Sequence, residues 1–180
     1  MIDDTLVRHE LFGGAMEMAF PNRFTDISDF RPVPDHQEEY QPVADTSSAA
    51  HFFNDLAETS QAQHSQIDET LRLGPADVPG VPAECVKTVV VGQQAVAKGR
   101  QGMHALNKIQ VILCNIRIPQ YRSDLLITLN TPIYISEHSA AAEHAGAGYK
   151  GAHLTSPMLF RQMLESLQIT DWSLFGPPES

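Results

Sequence analysis

The stretch Lys108-Ile-Gln-Val-Ile-Leu-Cys-Asn-Ile-Arg-Ile-Pro-Gln-Tyr-Arg-Ser-Asp-Leu-Leu-Ile-Thr-Leu-Asn-Thr131 decides the fold. It holds two runs rich in Ile, Leu and Val, 108–118 and 124–131, joined by the link 119–123. Residues of this kind suit a pleated, half-buried surface. So short a link is compatible with an antiparallel pair, whereas a parallel crossover needs about a dozen residues or more. In the second run Leu125, Ile127 and Leu129 share one side, and Leu126 and Thr128 the other. Apolar residues on both sides predict a sheet covered on both faces.

Working outward, Glu84–Lys98, built around Val89-Val-Val-Gly92, reads as a further strand. Ala49, Phe52, Phe53 and Leu56 recur at the spacing of an amphipathic helix over 47–60, with Asp45 or Thr46 as its cap. A final helix follows Thr155 or Ser156, with Pro157 in its first turn and a stripe of Phe160, Met163, Leu164 and Leu167. Leu11–Phe20 reads as a strand broken at Gly13-Gly14, by a bulge or a close backbone approach. Residues 61–82 stay open between helix and strand before the Pro79-Gly-Val-Pro82 loop. Residues 38–44 read as a strand and residues 1–9 as a frayed end. The Ala-, Gly- and His-rich stretch 136–153 reads as a flexible loop, and the tail from Asp171 as a strand or packed arm. One domain of mixed α/β class spanning 1–180 is expected.

The net charge is −10, and residues 1–60 carry −9 of it. That polarity argues against nucleic acid, which selects a basic stripe, and suits a protein that meets a basic surface or one that is merely soluble. No window has the apolar length of a membrane span, so an integral membrane protein is not expected. The acidic start Met1-Ile-Asp-Asp4 lacks the core of a secretory signal. Cys85 and Cys114 lie in or beside apolar runs and read as buried thiols in a reducing compartment, the cytosol or nucleus.

The acids gather in Asp26-Ile-Ser-Asp-Phe-Arg-Pro-Val-Pro-Asp-His-Gln-Glu-Glu-Tyr40. Pro32 and Pro34 stiffen the approach and extend Arg31 and Val33. Asp35 and Glu38 are three residues apart, so one tight turn sets both carboxylates on one face. Two readings stand: a capping box that opens a helix, or an acidic contact for a basic partner. Other chemistries lack their signatures. There is no phosphate-binding Gly-x-x-x-x-Gly-Lys loop, no Gly-x-Ser-x-Gly elbow and no His-Glu-x-x-His pair. Glu137, His138, Glu143 and His144 are spaced wrongly for one helix face, so no metal is expected. No cofactor is expected either.

Four segments in order carry a resemblance: Leu11-Phe-Gly-Gly-Ala15, Asp26-x-Ser-x-x-Arg-Pro-Val-Pro-Asp-x-Gln-Glu38, Arg117-x-Pro-Gln-Tyr-x-Ser-Asp-Leu-Leu126 and Ser173-Leu-Phe-Gly-Pro177. Together they resemble the Mog family of Ran guanine nucleotide release factors, over about residues 11 to 177. The resemblance does not extend clearly through 60–83 or 136–153. It implies an antiparallel sheet of about six strands flanked by helices on both faces, similar to the extrinsic photosystem protein PsbP. It implies a non-enzymatic regulator that binds the GTPase Ran, promotes loss of GTP, supports nuclear import and works in nucleus and cytoplasm. Asp35 and Glu38 match the acids the family uses on Ran, which favours the contact reading. Arg31, Gln37, Glu39 and Asp26 are weaker partner candidates. A monomer is expected. Some animal members are linked to a voltage-gated sodium channel, so an adaptor that docks Ran or a channel without altering nucleotide is the alternative. An enzyme on a PsbP-like scaffold is a third reading, without a catalytic signature.

Overall fold

The computed structural model describes residues 5–25, 44–97, 105–139, 142, 148–149 and 156–178. In chain order its elements are β1 (Leu6–Leu11), β2 (Met16–Pro21), α1 (Ser48–Thr59), β3 (His64–Arg72), β4 (Val86–Ala97), β5 (Leu106–Ile118), β6 (Ser123–Ile135), β7 (Gly148–Tyr149), α2 (Ser156–Ser166) and β8 (Gln168–Ile169). The stretch 108–131 folds as the expected antiparallel pair, with Cys114 opposite Ile127 and Ile118 opposite Ser123. A 3-10 turn over Pro119–Tyr121 makes the link, and Arg122 closes it in the left-handed region at φ 43°.

All strand pairs are antiparallel, but among the described residues they form two sheets rather than one of about six strands. One runs β3-β4-β5-β6-β7 and the other β1-β2-β8. The Gly13-Gly14 turn makes β1 and β2 a hairpin of their own, and its open side pairs with β8 through Met16 and Glu17. Leu6–His9, expected as part of a frayed end, belong to β1, because pairing with Met18–Pro21 fixes their backbone. Residues 61–82 resolve as β3 followed by a loop.

The two faces of the larger sheet follow strand alternation. On one face Ile112, Cys114, Ile116 and Ile118 pack with Met16 and Met18 of the small sheet and with Phe160, Met163, Leu164 and Leu167 of α2. Leu125, Ile127 and Leu129 join the same core. On the other face Ala49, Phe52 and Phe53 of α1 press on Val90, Val111 and Leu113. Burying a side chain such as Phe53 is worth about 1.5–3 kcal/mol. The approach needs Gly92, where an added Cβ would lie 2.5 Å from the Phe53 ring and 2.4 Å from the Gln66 carbonyl oxygen. The short α1 does not reach β6, so Leu126 and Thr128 are exposed. Among the described residues, cover on both faces therefore holds for the central strands and is missing over Leu126 and Thr128 of β6.

Most buried polar groups are paired, as burial requires; among the described residues His9 Nε2 and Gln110 Oε1 are exceptions. Lys87, buried on β4, donates to the Pro82 and Cys85 carbonyl oxygens at 2.8 and 3.2 Å and closes that loop. Asn107 donates to the Ser139 hydroxyl and accepts from the Ser136 N–H. These bonds bury Ser136 and Ser139, and Gly148–Tyr149 add a strand to β6. Of the stretch expected as a loop, 136–139 form a turn anchored by Asn107, and Gly148–Tyr149 pair with β6. Positions 140–141, 143–147 and 150–153 lie outside the described residues. So do 38–43 of the strand expected at 38–44. Ser156, a cap candidate, is the first helical residue of α2, and its hydroxyl meets that of Thr131 at 2.8 Å. The other candidate, Thr155, lies outside the described residues.

β3 stands at the edge of its sheet, almost wholly exposed, with a register shift between Ile67 and Glu69 that leaves Asp68 unpaired in the ladder. No described helix is long and apolar enough to cross a membrane.

Candidate partner interface

The sequence places its partner-binding candidates, Asp26, Arg31, Asp35, Gln37, Glu38 and Glu39, in a stretch that lies outside the described residues. The structure gives the framework on either side of it. Before it, the Phe24 N–H donates to the Pro21 carbonyl oxygen at 2.9 Å and turns the chain out of β2. His9, Phe20 and Phe24 form an aromatic stack, with centroids 3.9 and 6.2 Å apart. The Arg23 guanidinium covers the Phe24 ring at 4.8 Å, a cation–π contact.

After it, Asp45–Ser47 form a 3-10 turn that leads into α1. The carboxylate of Asp45 turns to Arg117 instead of capping the helix. Arg117 is 1% exposed and grips Asp124 with two parallel bonds, Nε to Oδ1 at 2.9 Å and Nη2 to Oδ2 at 3.0 Å. Its Nη1 reaches Asp45 at 3.4 Å. Asn115 donates to Asp124, and Ser48 donates to Asn115 at 2.6 Å. A planar guanidinium matches a carboxylate in this forked way and a lysine does not. One polar network therefore ties the start of α1 to the β5–β6 turn. Arg117 and Asp124 stand in one of the four motifs, where the sequence alone assigns them no role. An arginine set among isoleucines at the end of β5, seven residues from an aspartate across a hairpin, was the available signal.

Three of the four motifs meet at this end of the molecule. The Thr170 hydroxyl donates to the Gly14 carbonyl oxygen at 2.7 Å, and the N–H groups of Thr170 and Asp171 both donate to that of Ala15. Asp171 caps the 3-10 turn Trp172–Phe175, accepting from the Ser173 N–H and hydroxyl. Those bonds, the hydroxyl first, hold its exposed carboxyl below the usual range. Trp172 and Phe175 pack on Tyr121 of the β5–β6 turn, with centroids 6.0 and 5.9 Å away. Beside Trp172 lies an open cleft of about 490 Å³, lined also by Pro79, Val81, Pro82 and Gln168. The chain can pass close there because residue 80 is glycine, whose Cβ would strike the Leu167 carbonyl oxygen.

A family model described as "Ran-interacting Mog1 protein" matches residues 9–43 and 39–132. The chain belongs to the Mog1 family. A zebrafish (Danio rerio) relative named "Ran guanine nucleotide release factor" is 31% identical over 185 residues, covering 92% of this chain and 98% of that protein. A Schizosaccharomyces pombe (strain 972) relative named "Nuclear import protein mog1" is 26% identical over 144 residues, covering 69% of this chain and 76% of its own. The solved structure of the Saccharomyces cerevisiae Ran-binding protein Mog1p superposes with a TM-score of 0.61 at 17% identity, covering 97% of this chain and all of that one. At that identity the superposition establishes a Mog1 fold, and the family match carries the membership.

The Mog1-family core also holds the two thiols. Cys85 is 4% and Cys114 0% exposed. Burial raises both, Cys114 from 9.0 to about 12, while Lys87 pulls each back. Neither thiol is expected to react with a disulfide reagent until the protein unfolds. A group raised on folding stabilises the fold below its unfolded value and loses that contribution as pH rises through the folded one. Stability should thus decline from about pH 9 toward about pH 12. A native thiol that titrates rapidly at neutral pH would show that the core is open. The His138 Nε2 lies 3.5 Å from Glu137, with both side chains exposed, and Glu143 and His144 lie outside the described residues. Among the described residues no group of three or more His, Cys, Asp or Glu could hold a metal ion.

Proposed function

We propose that this chain binds the GTPase Ran and promotes release of its bound nucleotide, GTP in particular, in support of nuclear protein import. The observation that carries the reading is family membership, joined to a relative named for nucleotide release that aligns over 92% of this chain. The regulator makes and breaks no covalent bond and acts in the nucleus and cytoplasm. By linkage, a protein that prefers nucleotide-free Ran by some factor weakens nucleotide binding by that factor. Couplings of roughly 1–3 kcal/mol give about 5- to 150-fold. Asp35 and Glu38 supply the contacts, pairing with Lys or Arg on the GTPase. The anchored Arg117 network and the aromatic stack before Thr25 support this by fixing the flanks of that stretch, since exposed charges on a rigid scaffold are suited to binding.

The test is the loss of labelled GTP and, separately, labelled GDP from Ran at increasing doses of the protein. Dose-dependent release supports the reading. Binding without release makes the protein an adaptor. The acidic N-terminal third adds a second expectation. Raising ionic strength should slow association with Ran more than it speeds dissociation, because salt screens the steering field. Stopped-flow mixing from low to high salt checks this, and a flat association rate counts against steering.

A further inference from the structure

We propose that Phe12 is an anchor residue for Ran, its ring filling an apolar pocket on the GTPase whose rim carries Lys or Arg. The proposal rests on the Ran-binding reading and extends it to a second contact surface, outside the acidic stretch. Phe12 sits at the tip of the β1–β2 hairpin with φ 51°, in the left-handed region. Bulky side chains avoid that region, and glycine occupies it at little cost. Gly13 and Gly14 follow at φ 65° and 90°, so a third glycine would have suited the turn. The chain instead carries a phenylalanine that is 65% exposed and joins neither hydrophobic core.

Core packing therefore does not explain the residue, and backbone geometry opposes it. The turn is also rigid. Gly14 and Ala15 are held by three hydrogen bonds from Thr170 and Asp171. An aromatic ring presented on a fixed turn loses little freedom on binding, and buried aromatic anchors of this kind dominate interfaces. The charge around it selects the partner. The Glu10 carboxylate lies against Gly14, and the exposed, ionised Asp171 packs beside Ala15. A second copy of this chain would bring like charges together, whereas a basic rim around an apolar pocket complements them.

The experiment compares wild type with Phe12→Gly and Phe12→Ala for thermal midpoint and for affinity to purified Ran. Phe12→Gly relieves the left-handed strain, so its midpoint should equal or exceed wild type. Its Ran affinity should fall at least about tenfold, chiefly through faster dissociation. Phe12→Ala should lose affinity to the same degree. Unchanged Ran affinity in both variants overturns the proposal. So does a lower midpoint in Phe12→Gly with normal affinity at a temperature where it is folded, which makes the ring a structural element. Concentration-dependent self-association that Phe12→Gly abolishes, with Ran affinity intact, makes the occupant a second copy and also overturns it. Wild-type protein that binds no Ran sinks the proposed function together with this inference, whereas wild-type binding with unaffected variants sinks this inference alone.

Discussion

Arg117→Met is expected to cost about 3–5 kcal/mol of stability, because it strands a carboxylate that is 8% exposed. For a chain of this length that lowers Tm by roughly 10 °C. The loss should come mainly from stranding Asp124, not from removal of net attraction, since a buried ion pair is often no better than an apolar replacement. Asp124→Asn then serves as the control, as its side-chain oxygen can still accept from Asn115. In the double variant Arg117→Met with Asp124→Asn, neither member of the pair is left as a stranded charge, and most of the lost stability should return. Asp45 needs no compensation, since its side chain is 53% exposed. Four chemical denaturation curves close the cycle. A double variant no more stable than Arg117→Met would show that the guanidinium is required for its own packing.

Reversing both acids, Asp35→Lys with Glu38→Lys, should remove detectable Ran binding and leave the thermal midpoint near wild type. Truncating one partner of a buried interfacial charge pair costs about 2–5 kcal/mol, and two reversals add repulsion. The capping-box alternative forecasts the opposite pattern. A lost cap lowers stability by about 0.5–2 kcal/mol and weakens binding only as far as the stretch unfolds. Circular dichroism and calorimetry on one sample separate them. A lowered midpoint with near-normal affinity in the folded mutant would leave the acids as a cap.

Much of this fold was legible because periodicity reports burial. The Phe52-Phe53 and Phe160–Leu167 stripes became the packed faces of α1 and α2. The two runs around 119–123 paired antiparallel. Reading failed where backbone pairing decides structure without an apolar signal. β3 carries Ser65, Gln66, Asp68, Glu69 and Thr70, and its alternation is faint because neither side of it is buried. Leu6–His9 are strand only through their partner across the Gly13-Gly14 turn. Cover at β6 was overestimated because sequence shows which residues could be buried and not how far α1 extends. At the candidate interface the motifs were readable, but their meeting at Tyr121, Trp172 and Ala15 depends on contacts some fifty and more residues apart. The pairing of Arg117 with Asp124 is local, but its link to Asp45, 72 residues away along the chain, was hidden for the same reason.

The edge position of β3 has a consequence for colloidal behaviour. Nine residues of sheet edge, exposed along nearly their whole length, are a template on which another strand can add. The irregular register at Asp68 interrupts the ladder that such growth would copy. The neighbouring acids Asp68 and Glu69 place like charges where a second molecule's edge would align. Fibrillar stacking is thereby opposed twice, by geometry and by charge, along an edge that the described chain leaves open to water.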